Sequence, residues 1–263
     1  MPDLRRIGVL LLTQATRPGP VEDALLREDI VGYRPAPSTT PNQNSTNIAD
    51  LTSDRRTFHK PFAGVKLDLA GQYGHTQLSV GLNECAAWRL ARFLGTPYTE
   101  LVSTTVLRFH AADVATRLAY PRIIDGWGSL ASEQPGVSLD PAPLDDPAIN
   151  DPAAFFDALI AQQDRHMAQF RWDAEAGRLG LIDHGFAFAR RGDLLNQSVF
   201  LAQRHAQGRG ALMSAEREAL AKIAGTSHLV GLREILDADQ VDALAGRIER
   251  MLASGDLIRP GDW

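Results

Sequence analysis

The sequence predicts an α+β protein of two lobes, a small β-rich lobe of mixed structure followed by a mostly helical one. Three observations carry this prediction. In the first half of the chain, short strand patterns surround a single helix. A proline-rich stretch at residues 134–152 follows this half. Beyond that stretch, amphipathic helix patterns dominate. We therefore place an N-terminal lobe at residues 1–133 and a C-terminal lobe at residues 134–263.

The first lobe is predicted from its strand patterns, one helix and one loop. An apolar helical pattern covers residues 83–94 and ends at Gly95, a residue favoured just beyond a helix C-terminus. Residues 32–46 hold three prolines among Ser, Thr and Asn, which predicts a long loop. Four segments have the composition of short strands: residues 7–12, 57–60, 104–109 and 129–132.

The second lobe is predicted to begin with a helix that has Asp151 as its N-cap and Pro152 as its first residue. Residues 170–172 and 179–182 then form a hairpin of two short strands. From residue 214 onward the chain is predicted to be helical. An apolar stripe in this part is interpreted as core packing and not as a partner groove: Val241, Leu244, Ile248, Met251 and Leu252.

Composition excludes several classes of protein. With 263 residues, of which 44% are hydrophobic, the chain can bury a large core. Its net charge of −5 disfavours nucleic-acid binding, and the apolar run at residues 9–12 is far shorter than the roughly 20 residues that span a bilayer. The one cysteine, Cys85, forms no intrachain disulfide. We expect a cytoplasmic protein without a membrane or nucleic-acid partner.

Two acidic residues occupy positions that suit phosphoryl transfer. Asp164 follows the first helix of the second lobe, and Asp183 follows the second strand of the hairpin. The first carboxylate can orient an attacking hydroxyl, while the second can hold magnesium against phosphates. His166 and His184 lie beside these acids and leave a metal-dependent phosphohydrolase as a less favoured alternative.

Four segments together resemble a known superfamily: Phe58-His59-Lys60-Pro61, Asn83-Glu84, the stretch from Phe155 to Asp164-Arg165-His166, and Leu181-Ile182-Asp183-His184-Gly185 with Phe186 to Phe188. They are similar to the atypical kinases, which include phosphatidylinositol kinases and HipA toxin-kinases. The likeness is strongest to bacterial phosphatidylinositol 3/4-kinase-like and HipA-like proteins. It implies a two-lobed protein-kinase-like fold and the binding of ATP and Mg²⁺. Residues 1–133 would then be the nucleotide-binding lobe and residues 134–263 the catalytic lobe.

The resemblance also implies roles for individual residues. Lys60 is expected to clamp nucleotide phosphates, with Glu84 as its partner. Asp164 is expected to orient the acceptor hydroxyl with His166 beside it. Asp183 is expected to bind magnesium together with Gln169, which stands where many relatives have an asparagine.

Two further segments are expected to contact the nucleotide. Asn44, Ser45 and Thr46 stand where the family places a short phosphate-facing loop, although no glycine-rich motif is present. Glu133 and Gln134 are expected at the hinge that binds adenine through its backbone.

These expectations predict an ATP-dependent kinase. It would move the γ-phosphoryl group of ATP to a hydroxyl of a protein or a soluble small molecule. The alternative is a pseudokinase that binds nucleotide and regulates a partner protein, and it is motivated by Gln169 and by the absent glycine loop. The acceptor and the oligomeric state are left open.

Overall fold

The N-terminal part of the chain is built on one antiparallel sheet. A computed structural model describes residues 18–37, 44–193, 198–224 and 232–259. The strand order is β1-β2-β3-β5-β4, and all neighbouring strands are antiparallel. The predicted strand at residues 7–12 lies outside the described residues. The five strands are β1 (Ile30–Pro35), β2 (Asn47–Leu51), β3 (Arg56–Pro61), β4 (Thr105–His110) and β5 (Gly126–Ser132).

The predicted loop at residues 32–46 is partly wrong. Its first residues belong to β1, in which Pro35 pairs with Asn47 of β2. β1 lies at the edge of the sheet, where a strand tolerates proline because one side needs no backbone donor. The proline content of residues 32–46 therefore predicted a loop, whereas the edge position of β1 permits a strand there.

The helices of this part include a longer central helix than predicted. α3 ends at Leu94 with Gly95 beyond it, as predicted, but it begins at Gln77, where the Thr76 hydroxyl caps the Ser79 amide at 3.1 Å. Glu84 consequently lies beyond the first turn and not at the helix start. The helices are α1 (Pro20–Arg27), α2 (Leu67–Gln72), α3 (Gln77–Leu94), α4 (Tyr98–Leu101) and α5 (Val114–Ala119).

The C-terminal part is mainly helical and contains one hairpin, β6 to β7, as predicted. The predicted start of its first long helix is wrong. Asp146 caps α7 and Pro147 is its first residue, so Pro152 lies inside the helix. An Asp-Pro pair occurs three times, at residues 140–141, 146–147 and 151–152, and the helix begins at the second of them. The elements are α6 (Ala142–Asp145), α7 (Pro147–Ile160), β6 (Phe170–Asp173), β7 (Arg178–Leu181), α8 (Val199–Ala206), α9 (Ser214–Ala224) and α10 (Ala238–Ser254).

The main core joins α3 to the C-terminal helices, with Phe155 and Phe156 fully buried at its centre. The stripe on α10 packs into this core, which confirms its interpretation. A smaller cluster fills the space between α1 and the sheet, around Leu25 and Leu130. The α+β arrangement is thus confirmed. Among the described residues, no helix is long and apolar enough to cross a bilayer.

Candidate active site

Lys60 lies at the centre of the site and contacts two carboxylates. Residues alternate along β3, so Thr57 and His59 are buried while Phe58 and Lys60 share the opposite, partly exposed face. The Lys60 ammonium nitrogen is 2.5 Å from Glu84 Oε1 and 2.9 Å from Asp183 Oδ1. The Lys60 side chain is 19% exposed. A strand, a helix and a loop after the hairpin therefore meet at one cation.

The charges of this group stabilise one another. Burial alone would lower the pKa of Lys60, but the carboxylates of Asp183 and Glu84 raise it above its ordinary value. Burial alone would raise the pKa of Asp183, but Lys60 and then Arg165 hold it below its ordinary value. Lys60 and Asp183 are therefore both charged at neutral pH.

The backbone around Asp183 presents its carboxylate to Lys60. Asp183 follows β7 in the left-handed region, with φ of 61° and ψ of 61°, which aspartate tolerates better than most residues. Gln162 donates its side-chain amide to the Asp183 carbonyl at 2.9 Å. The next residue, His184, donates its backbone N–H to Glu84 Oε2 at 3.0 Å. Glu84 thus accepts from Lys60 with one oxygen and from the segment after Asp183 with the other.

Asp164 lies in the loop after α7 and accepts a hydrogen bond on each carboxylate oxygen. Gln169 Nε2 donates to Oδ2 at 3.0 Å, and the Tyr73 hydroxyl donates to Oδ1 at 3.3 Å. Burial raises the pKa of Asp164; Asp183 raises it further, while His166 and the two donors oppose the rise. The mutual effect of the two aspartates places both in one electrostatic site.

Arg165 fixes the loop that carries Asp164, and sequence reasoning gave it no role. Its guanidinium is fully buried and donates to Asp157 Oδ2 at 3.1 Å. It also donates to the carbonyl of Gln169 at 2.7 Å and to that of Ile182. A signal was available, because Asp157 is an acid surrounded by apolar residues in α7 and such an acid requires a buried partner.

The residues predicted to hold a metal have suitable ligand atoms. Gln169 is buried, and its side-chain oxygen Oε1 has no hydrogen-bond partner among the described residues. The Asp183 side chain keeps 39% of its surface exposed. Amide and carboxylate oxygens are ligands that Mg²⁺ accepts. In the described part of the chain, no cluster of three or more His, Cys, Asp or Glu residues forms a metal site. Gln169 and Asp183 thus offer an amide oxygen and a carboxylate that suit a cation, and their role in metal binding stays a prediction.

His166 is less closely bound to Asp164 than its position in the motif suggested. Its side chain is 55% exposed, and Nε2 is 4.0 Å from Asp164 Oδ2, beyond hydrogen-bond distance. Its other ring nitrogen accepts from the Ala168 backbone N–H at 3.2 Å. A catalytic role for His166 stays a prediction.

The predicted phosphate-facing loop packs against the segment after β3. Asn44 Oδ1 accepts from the Lys66 N–H at 2.9 Å, and the Ser45 N–H donates to the Gly64 carbonyl at 2.9 Å. The Thr46 carbonyl accepts from Ala36 at the end of β1. These contacts shape the β1–β2 connection, and its role in phosphate binding stays a prediction.

The predicted adenine hinge directly follows β5. The Glu133 N–H donates to the Arg56 carbonyl at 3.3 Å, and the Glu133 side chain is exposed. The Gln134 side chain lies over Gly180 of β7, where a Cβ would come within 2.7 Å of its Oε1. Directly after the sheet, this segment thus contacts the hairpin that leads to Asp183 through the Gln134 side chain.

Two apolar side chains beside Lys60 were missed in the sequence. Phe58 is two residues before Lys60 on the same face of β3, and Ile48 of β2 pairs with it in register. Both are only partly buried, although they lie in the middle of a sheet. The alternation of β3 was a usable signal, because it places Phe58 on the face of Lys60.

The sheet, the helical part and this site together define a protein-kinase-like fold. A crystal structure of the Golgi casein kinase matches with a TM-score of 0.54 at 14% identity, covering 87% of this chain and 73% of that chain. A second structure of that kinase, with Mn/ADP bound, matches with a TM-score of 0.55 at 14% identity, covering 96% of this chain and 76% of that chain.

A third solved structure is too distant to support the fold assignment. The Helicobacter pylori proinflammatory kinase CtkA matches over 86% of this chain and 93% of that chain at 9% identity, and its TM-score is only 0.41. No protein-family model and no curated protein matches the sequence. The resemblance to phosphatidylinositol-kinase-like and HipA-like proteins stays a prediction.

Proposed function

We propose that this chain is an ATP-dependent phosphotransferase that moves the γ-phosphoryl group of ATP to a hydroxyl of a protein or a soluble small molecule. The observation that carries the proposal is the position of the Lys60 ammonium between the carboxylates of Glu84 and Asp183. A lysine held on a strand by a helix glutamate is suited to neutralise nucleotide phosphates. The kinase-like fold supports the same activity.

In this proposal Asp164 acts on the acceptor. Its carboxylate takes the proton of the acceptor hydroxyl as the acceptor oxygen forms a bond to the γ-phosphorus. The bond between the γ-phosphorus and the β,γ-bridging oxygen breaks, and ADP leaves with the electron pair. Lys60 offsets negative charge on the phosphate oxygens throughout.

Asp183 and Gln169 would hold the divalent cation through a carboxylate and an amide oxygen. A bound Mg²⁺ would neutralise negative charge on the phosphates. The partnerless Gln169 oxygen supports this assignment. The structure of the Golgi casein kinase with Mn/ADP bound supports the use of a nucleotide and a divalent metal by this fold.

The adenine ring is proposed to lie against Phe58 and Ile48. Both are partly exposed apolar side chains on the face of the sheet that carries Lys60. Backbone groups near Glu133 and Gln134 would then supply hydrogen bonds to the ring edge.

ADP formation tests the proposal. Purified protein is incubated with ATP and magnesium, alone and with candidate acceptors, and compared with Asp164→Ala and Asp183→Ala. We expect turnover in the wild type and a loss of about 100-fold or more in each variant, because the base and the metal ligand act in the same step. Undiminished turnover in both variants would remove these residues from the mechanism.

A pseudokinase that binds nucleotide and regulates a partner is the second candidate. The observation that favours it is the Gln169 amide, which donates to Asp164 and stands where many similar proteins are expected to have asparagine. Magnesium-dependent ATP binding without turnover on any acceptor favours this candidate, whereas turnover excludes it.

A further inference from the structure

Residues 73–75 form the turn between α2 and α3, and each of them makes a hydrogen bond to the C-terminal part of the chain. Gln163 Nε2 donates to the Tyr73 carbonyl at 3.1 Å, and Gln163 Oε1 is 2.6 Å from His75 Nε2. Arg190 donates to the Gly74 carbonyl. Gln163 directly precedes Asp164, so the turn is attached next to the predicted base.

Tyr73 is held firmly within this turn. Its ring is 8% exposed and lies 4.7 Å, centroid to centroid, from the ring of Phe186. Val65, Ala70 and Val80 complete the small apolar cluster around it. Its hydroxyl therefore reaches Asp164 Oδ1 from a fixed ring and not from a mobile side chain.

The two donors on Asp164 leave it able to act as a base. Tyr73 occupies one oxygen and Gln169 the other, and both donors are neutral, so the carboxylate keeps its charge. A carboxylate offers about four lone-pair positions, which leaves room for an acceptor hydroxyl. A third neighbour, His166, has its Nε2 4.0 Å from Asp164 Oδ2 and makes no hydrogen bond to the carboxylate.

We infer that Tyr73 is a positioning residue that fixes the Asp164 carboxylate for the acceptor hydroxyl and makes the base depend on the docking of the α2–α3 turn. The inference rests on the proposed function, because it assigns the partner of the base in that reaction. It extends the site to a residue outside the four segments that resemble kinases.

Tyr73→Phe tests the inference because it removes the hydroxyl and keeps the ring against Phe186. We expect kcat to fall about 10-fold with the KM for ATP unchanged within two-fold, since general-base catalysis contributes about 10²–10⁴ and orientation accounts for part of it.

A second measurement does not depend on activity. Urea unfolding at pH 7 is measured for the wild type, Tyr73→Phe, Asp164→Ala and the double variant, which form a double-mutant cycle. The matched control uses Tyr98→Phe in place of Tyr73→Phe, because Tyr98 is also 8% exposed but packs against Phe155 and Phe156 in the main core. We expect Tyr73→Phe to destabilise the Asp164→Ala protein less than the wild type, and Tyr98→Phe to destabilise both equally.

The outcomes separate this inference from the proposed function. Strictly additive effects of Tyr73→Phe and Asp164→Ala on stability overturn the inference, whatever happens to kcat. A wild type that never turns over ATP defeats the proposed reaction, while the double-mutant cycle still decides whether Tyr73 holds the carboxylate.

Discussion

Lys60 contacts Glu84 and Asp183 in a partly buried environment. The pKa values of Lys60 and Asp183 there set the pH range over which this ionic group stabilises the fold. Asp183 has a lowered pKa in the folded protein, so its contribution to stability is present above its ordinary value and is lost as pH falls through the folded value. Lys60 has a raised pKa, so its contribution is complete below its ordinary value and is lost only at strongly alkaline pH. The group therefore stabilises the fold across the neutral range.

Lys60→Met should reveal this dependence. At pH 7 the variant leaves Glu84 and Asp183 without their cation, and we expect the free energy of unfolding to fall by about 2 kcal/mol. The loss is smaller than the 3–5 kcal/mol typical of fully buried pairs because the Asp183 side chain is 39% exposed.

Urea unfolding between pH 3 and pH 7 measures the effect. The difference between wild type and Lys60→Met should begin to shrink below about pH 4, because a protonated Asp183 no longer needs the ammonium. A difference that stays constant over this range would show that Lys60 stabilises the fold by packing alone.

The residues of the site differ in how far the sequence could predict them. Lys60, Asp164 and Asp183 lie in short segments whose local pattern is informative, and the contacts of Lys60 with Glu84 and Asp183 follow the predicted grouping. Tyr73 and Asp164 are 91 residues apart in the sequence, and no local pattern in the sequence predicts their contact. A contact of this kind depends on how a turn docks and not on the composition of the turn.

At the scale of elements, α3 connects the site to the rest of the molecule through Asn83. Its fully buried side-chain amide donates to the carbonyls of Gly185 and Ala187, each at 2.9 Å. Its oxygen accepts from Gln240, near the start of α10, at 3.0 Å. One side chain thus holds the segment after Asp183 between two helices.

Asn83→Ala should destabilise the protein by about 2–4 kcal/mol, because it removes the donor to two buried carbonyls and leaves the Gln240 amide with its 3.4 Å bond to the Phe188 carbonyl. Urea unfolding at pH 7 gives the value. Asn150→Ala is the matched control, since Asn150 is also fully buried, but among the described residues its side chain donates only to the Phe200 carbonyl, at 3.2 Å. Equal losses in the two variants would contradict the special role of Asn83.

The elements themselves were largely predictable, and the errors have physical causes. The hairpin follows from two short strand patterns joined by a turn, and the end of α3 from Gly95; these are local signals. The start of α7 was missed because three Asp-Pro pairs between residues 140 and 152 offer the same N-terminal signal. The strand β1 was missed because an edge position, which only the assembled sheet defines, makes its prolines acceptable.

At the scale of the whole molecule, the sheet and the helical part meet around charges that suit a nucleotide. Glu84 comes from α3, Lys60 from β3, and Asp183 from the loop after β7. The arrangement of the α+β elements could be predicted from the sequence, since a β-rich half precedes a helical half. The shape of the acceptor groove could not, because loops far apart in the chain build it.

Thermal unfolding with magnesium and ATP is the measurement that tests the central claim most directly, namely that Lys60 and Asp183 bind the same nucleotide. At about 100 times Kd, ligand binding contributes about 2.7 kcal/mol, which should raise the wild-type Tm by roughly 5–10 °C. Lys60→Met and Asp183→Asn should lose this rise. Lys222→Met should keep it, because Lys222 is exposed on α9 over Phe93. An equal rise in all four proteins would contradict the account.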